Sequence, residues 1–240
     1  MHSPFVFDFI IHVLNDKTQY PACQQVEALR NQLVKDPTIL EVEDFGAGSS
    51  IDKTNRRSVS SIAKNAAKPP KYGQLLYRIV SYYQPQAIIE LGTSLGITTS
   101  YLSLAKPNAS LVTMEGASSI AEKAEQNFKT LNLENITIKK GNFDNTLPAV
   151  VDSLSSVDFV FIDGNHRREP TERYFKQLLP VLNNNSIIIF DDIHWSSEME
   201  QAWKSIQQHS AVRCTIDLFF IGIVLLRQEF KEKQHFTIRF

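Results

Sequence analysis

The chain has 240 residues, 42% of them hydrophobic and 21% charged, the profile of an ordinary soluble globular protein with room for one sizeable core. A formal net charge of −1 argues against a nucleic-acid binder working through a global positive field and favours small or neutral partners. Two cysteines without paired spacing, Cys23 and Cys214, indicate neither a zinc motif nor a disulfide framework and suit a reducing cytoplasm.

Residues 1–15 are apolar (Phe5, Val6, Phe7, Phe9, Ile10, Ile11), yet Asp8 and His12 interrupt them and no basic leader or small-residue cleavage site is present, which excludes a signal peptide. No stretch approaches the roughly 20 apolar residues of a membrane-spanning helix. Helices are expected from about Ser3 to Leu14, Gln24 to Val34 and Lys71 to Tyr83, with a polar stretch between. Within it, Val42-Glu43-Asp44-Phe45-Gly46-Ala47-Gly48-Ser49 imitates an acid followed by a glycine turn. No acid appears between Asp52 and Glu90 to serve a ribose, so the segment is read as a loop. Lys53, Arg56, Arg57, Lys64, Lys68, Lys71 and Arg78 form a basic strip there, read either as a solvated face or as a collar favouring an anionic substrate.

From Ala87 onward, short apolar runs alternate with amphipathic ones. Strands are expected at Ala87–Leu91, Ser110–Glu115, Ile136–Lys140, Asp158–Ile162 and Ser186–Phe190, and helices at Thr98–Ala105, Ala117–Thr130, Thr146–Ser153, Pro170–Leu182 and Ser197–His209. This alternation predicts a doubly wound α/β fold with a mostly parallel, Rossmann-like sheet. The β-rich runs Val212–Leu218 and Phe220–Leu226 predict a C-terminal antiparallel hairpin, with His235–Phe240 after it. Of nine glycines, Gly92, Gly96, Gly116, Gly141 and Gly164 follow expected strands, where a ligand approaches backbone or a tight turn needs glycine.

The turn Glu90-Leu91-Gly92-Thr93-Ser94-Leu95-Gly96 brings backbone N–H groups toward a ligand at a strand end. Glu115, at the end of the next strand, suits the two hydroxyls of a ribose; a helix-capping acid is the alternative. The turn lacks the Gly-x-Gly-x-x-Gly spacing of a pyrophosphate site, which favours S-adenosylmethionine, an adenosine without phosphate. Thr93, Ser94 and Thr98 offer donors and acceptors for its amino-acid end. Gly141-Asn142-Phe143-Asp144 is placed to meet adenine, although Phe143 reads equally well as core.

These residues carry a resemblance. Lys71-Tyr72-Gly73-Gln74-Leu75-Leu76, Glu90-Leu91-Gly92 with Gly96-Ile97-Thr98, Met114-Glu115-Gly116, Asp158-Phe159-Val160-Phe161-Ile162-Asp163 and Phe190-Asp191-Asp192 run in the order seen in class I S-adenosylmethionine-dependent methyltransferases. The chain from about Pro69 to Leu226 resembles their small-molecule O-methyltransferases, catechol-type and antibiotic- or sugar-type. The resemblance implies methyl transfer to an oxygen of a small molecule. It implies cofactor contacts at Glu90, Gly92, Thr93, Ser94, Gly96, Thr98, Glu115, Gly116, Asn142, Phe143 and Asp163. It also implies Asp163, Asp191 and Asp192 as ligands of Mg²⁺ or Ca²⁺, with cap and cofactor contacts as the structural alternative. His166 in Asp-Gly-Asn-His falls where relatives carry a base, and His194 beside Trp195 competes for that role. Asn165 stands where relatives have a shielding aromatic residue, which disfavours catechol itself. Arg167 and Arg168 suit either an acidic substrate group or a plain helix start.

The expected organisation is an N-terminal helical extension, 1–68, before a methyltransferase domain, 69–240, whose apolar N-terminus and β-rich C-terminus each offer a surface to a second copy. Two competitors remain. One is a protein or nucleic-acid methyltransferase docking through the basic strip. The other is a non-catalytic binding module contacting membranes through Phe5, Phe7 and Phe9.

Overall fold

The computed structural model describes residues 3–42, 55–65 and 68–240. The imitation glycine turn from Glu43 to Ser49, and Lys53, therefore lie outside the described residues. At the N-terminal side come α1 (Pro4–Phe9), which runs on as a π-helical turn (Ile10–Leu14), then α2 (Pro21–Leu33), β1 (Ile39–Glu41), β2 (Arg56–Ser58), α3 (Val59–Asn65) and α4 (Pro70–Tyr83). β1 and β2 pair antiparallel as a separate ribbon that the polar composition of the segment did not announce.

The remainder alternates: β3 (Ala87–Leu91), α5 (Ile97–Ala105), β4 (Ser110–Glu115), α6 (Ser118–Thr130), β5 (Ile136–Lys140), α7 (Phe143–Asp152), β6 (Val157–Ile162), α8 (Arg168–Leu178), a 3₁₀ turn (Leu179–Val181), β7 (Leu182–Asp191), α9 (Ser197–Gln208), β8 (Cys214–Asp217), β9 (Ile221–Leu225) and β10 (Gln234–Thr237). The sheet order is β10-β8-β9-β7-β6-β3-β4-β5. β3 to β7 are parallel, β9 runs antiparallel between β7 and β8, and β10 pairs parallel with β8. The expected hairpin is therefore present, and β10 extends the sheet one strand beyond it.

Helices cover both faces, and this is why the central strands read as nearly unbroken apolar runs. In β6 and β7, Phe159, Phe161, Ile187 and Ile189 join the layer against α4 and α5. Val160, Ile162, Ile188 and Phe190 face the layer of α7, α8 and α9. Val6, Phe9, Val13, Val26, Leu29 and Leu33 belong to the first of these layers, so apolar residues on both sides of the 68/69 division share one core.

Local chemistry moves some boundaries. α7 starts at Phe143 rather than Thr146, because Asn142 caps it by accepting from the Asp144 N–H at 2.9 Å, leaving Pro148 inside the helix. α4 packs so closely on α5 that a Cβ at Gly73 would stand 2.4 Å from the Tyr101 ring. Burial pushes the Cys23 and Cys214 thiols up to about 11 and about 12, so both are inert core residues. Among the described residues, no helix is long and apolar enough to cross a membrane.

Candidate functional site at the carboxyl ends of the strands

The chain winds to one side from β3 and to the other from β6, and these two strands are neighbours, so a crevice opens above their carboxyl ends. Gly92 forms its floor. With φ at +104°, a Cβ there would lie 2.0 Å from the Asp163 carbonyl oxygen, while the Asp163 N–H donates to the Leu91 carbonyl at 2.8 Å. Ser94, Asn165 and Asp192, in the turns after β3, β6 and β7, all have positive φ near 50–60°. Non-glycine residues held there cost about 1–3 kcal/mol each, and their collection at one end of a sheet is characteristic of a working site.

Glu90 is completely buried at the carboxyl end of β3. Its Oε2 accepts from the Thr99 hydroxyl at 2.5 Å and the Thr113 hydroxyl at 2.6 Å, whereas Oε1 has no partner. Burial pushes the carboxyl up to about 8 against the lowering effect of those hydroxyls. Thr93 Oγ1 lies 2.6 Å from Thr113 Oγ1, so its hydroxyl is engaged in this network. Gly96 opens α5 at φ +77°, and a Cβ there would meet Phe128 at 2.4 Å, which assigns this glycine to helix packing. Thr98 is buried in the first turn of α5.

Glu115 faces the crevice at the end of β4. Its carboxylate accepts from the Ser94 N–H at 2.8 Å and the Ala117 N–H at 3.0 Å, which fixes it at the rim. Gly116 follows in the turn to α6. Beyond Gly141, the Phe143 ring lies over Gly164, where a Cβ would come within 2.6 Å of it, and edge-on to Tyr174 with centroids 6.1 Å apart.

Asp163, Asp191, Asp192 and His166 converge next to this floor. Ligand atoms of Asp163, His166 and Asp191 lie within 4.8 Å of one another. His166 Nε2 is 3.5 Å from Asp163 Oδ1 and 4.0 Å from Asp192 Oδ2. A fifth member comes from the far side of the chain: the Lys68 ammonium touches Asp191 Oδ2 and donates to Asp192 Oδ1 at 2.9 Å. Its side chain is only 12% exposed and that of Asp191 is 0% exposed. Burial alone would discharge this lysine, but Asp163, Asp191 and Asp192 together hold its pKa above the ordinary value. Burial also works against the Asp163 carboxylate, which Lys68 and His166 nonetheless hold below the carboxylate range. Asp191 is pushed upward by burial and by the Asp163 charge.

The competing candidates are occupied elsewhere. His194 Nε2 contacts Asp217 Oδ2 at 2.8 Å, and its Nδ1 lies 3.6 Å from Glu200. Arg168 bonds Glu172 and Gln201 on the α8–α9 surface. The basic strip is not a continuous face, because Arg78 donates to the Val13 carbonyl at 2.8 Å, Lys71 sits over the Phe240 ring at 4.1 Å and Lys68 points into the acids. Of the three N-terminal phenylalanines, Phe9 is buried and Phe5 stacks on Tyr83, leaving Phe7 as the exposed one. A hollow of about 310 Å³ between α2 and the end of α6 has no titratable lining and lies away from the acids.

Residues 89–193 match the sequence pattern of a methyltransferase domain. A catechol O-methyltransferase from Niastella koreensis is 28% identical over 127 residues, 52% of this chain, and the match spans 57% of that relative's length. Among solved structures, the S-adenosylhomocysteine-bound methyltransferase PaMTH1 of Podospora anserina superposes with a TM-score of 0.64 at 14% identity, covering 94% of this chain and 97% of that one. An O-methyltransferase from Bacillus cereus in complex with S-adenosylhomocysteine gives 0.61 at 17% identity, covering 92% and 97%. The fold is thus that of class I methyltransferases.

The crevice fits S-adenosylmethionine. Glu90 Oε1 is a buried acceptor without a donor, Gly92 keeps side chains off the floor, and the Glu115 carboxylate is fixed at the rim at the end of β4. The acids do not fit a divalent ion in the same way. Asp191 and Asp192 already face an ammonium, which a divalent ion would have to displace. As they stand, the counter-cation of Asp191 and Asp192 is Lys68. Two further members of the site, Thr99 and Thr113, escaped the sequence reading. The signal for Thr113 was available, since it lies opposite Glu90 in the β3–β4 register and a buried acid needs donors.

Proposed function

We propose that the chain is an S-adenosylmethionine-dependent O-methyltransferase acting on a small-molecule acceptor. The observation that carries this reading is the His166 imidazole, poised beside Asp163 and Asp192 at the edge of the Gly92 floor. When bound, S-adenosylmethionine supplies a methyl carbon activated by a sulfonium. Glu90 and the turn to Gly96 would receive its amino-acid end, Glu115 the ribose hydroxyls, and Asn142 and Phe143 the adenine.

His166 would accept the hydroxyl proton of the acceptor at Nε2, with Asp163 and Asp192 stabilising the resulting imidazolium. The freed oxygen lone pair would form the new O–C bond as the S–C bond breaks and its electron pair returns to sulfur. Holding both partners in line supplies most of the acceleration in such a displacement. Phe220 makes edge-on ring contacts with Tyr72 and with Phe219 near β8 and β9, and Phe219 is 63% exposed. These rings would give a planar acceptor an apolar surface.

Two measurements test the reading together. Calorimetric titration with S-adenosylhomocysteine should show one site per chain. Incubation with methyl-labelled S-adenosylmethionine and a panel of phenols and sugar alcohols should give an O-methyl product by mass spectrometry. Absence of S-adenosylhomocysteine binding, or transfer to nitrogen alone, would overturn it.

A further inference from the structure

Lys68 belongs to the basic strip in sequence, but in space it belongs to the acids. We propose that its ammonium is the permanent cation of the acceptor site, anchoring the acceptor oxygen where a divalent ion would otherwise be required. The word acceptor rests on the methyl-transfer reading; the occupancy of the carboxylate cluster by Lys68 does not.

Three features carry the inference. First, the lysine is placed by rigid structure. It precedes Pro69, which restricts it to extended backbone, and Pro69-Pro70 opens α4, which Gly73 locks against Tyr101 of α5. Second, the clustered acids need a cation. Asp191 is wholly buried, with Oδ1 unpartnered and Oδ2 against the ammonium, while Asp192 is held at φ +52° with its Oδ1 toward the same nitrogen. Third, an ammonium has three N–H donors, and among the described residues Asp191 and Asp192 account for two. The third would be left for the acceptor oxygen, which develops negative charge as its proton leaves.

The consequence for substrate class is direct. A divalent ion with open positions can chelate two neighbouring hydroxyls, whereas a single remaining N–H reaches one oxygen. The acceptor therefore needs only one hydroxyl at the reacting position, not a vicinal pair.

The test uses Mn²⁺ alone as the probe, on the full-length chain, by electron paramagnetic resonance and calorimetry, with S-adenosylhomocysteine titrated in parallel. Wild type should bind no stoichiometric Mn²⁺, and EDTA should leave S-adenosylhomocysteine binding unchanged. Lys68→Ala should create a Mn²⁺ site at least tenfold tighter than any in wild type, Lys68→Arg should not, and adding Asp191→Asn to Lys68→Ala should abolish the new site. Tight one-to-one Mn²⁺ binding by wild type that Asp191→Asn removes would overturn the proposal, and this arm needs no lysine variant to fold. Equal Mn²⁺ binding by wild type and a folded Lys68→Ala would overturn it as well. Failure of S-adenosylhomocysteine to bind while the Mn²⁺ pattern holds would sink the methyl-transfer reading and support the lysine.

Discussion

Replacing Glu90 by glutamine should stabilise the ligand-free protein at alkaline pH while weakening its hold on cofactor. The carboxyl is fully buried and its pKa rises from 4.5 to about 8, burial being the main cause. A raised folded-state pKa means that the native protein keeps a proton which the unfolded chain has lost between those two values, so stability falls as pH climbs from 4.5 to about 8. At about 1.36 kcal/mol per pH unit, the full loss above pH 8 is about 5 kcal/mol. Glutamine is nearly isosteric, keeps an acceptor for Thr99 and Thr113, and cannot ionise. The melting temperatures of Glu90→Gln and wild type should therefore nearly coincide at pH 4.5 and differ by about 10 °C or more at pH 8.5, given about 2–4 °C per kcal/mol for a chain of this size. Calorimetry at about pH 9, where the Glu90 carboxylate is ionised, should show S-adenosylhomocysteine binding weakened by about tenfold to a hundredfold, because a charge-assisted hydrogen bond is lost. A melting difference that does not change with pH would refute the reasoning.

Gly92→Ala should cost about 3 kcal/mol or more, read by urea unfolding, since its Cβ would stand 2.0 Å from the Asp163 carbonyl oxygen at a φ of +104°. Glu115→Ala should weaken S-adenosylhomocysteine binding by about tenfold to a hundredfold in calorimetry through loss of the ribose acceptor and of the anchor for Ser94 and Ala117. His166→Asn should lower kcat by about 10²–10⁴-fold while leaving S-adenosylhomocysteine affinity intact.

β3, β4 and β5 begin and end where the residue pattern places them, because each is a short apolar run closed by an acid or a glycine turn. The ribbon of β1 and β2 and the helix α3 were not legible, since Arg56-Arg57-Ser58 and Val59–Asn65 carry neither a strand alternation nor a long apolar stripe. The start of α7 was hidden by Pro148, which suits a first turn but here sits inside the helix. At the site, strand-terminal acids are conspicuous in any parallel sheet, so Asp163, Asp191 and Asp192 could be collected from the sequence. The cation that satisfies them could not, because Lys68 is 124 residues from Asp192 and looks locally like one more member of a basic run. His194 looked equivalent to His166 for a similar reason: its contact with Asp217 is made only when β8 folds back.

The origin of Lys68 also bears on where this enzyme-like unit begins. The matched sequence pattern begins at residue 89, behind the segment that contributes the lysine. A fragment cut along that line would keep three clustered negative charges and lose their neutralising partner. Electrostatic completeness, rather than the extent of a recognisable pattern, thus defines the smallest piece of this chain that can neutralise its own acids.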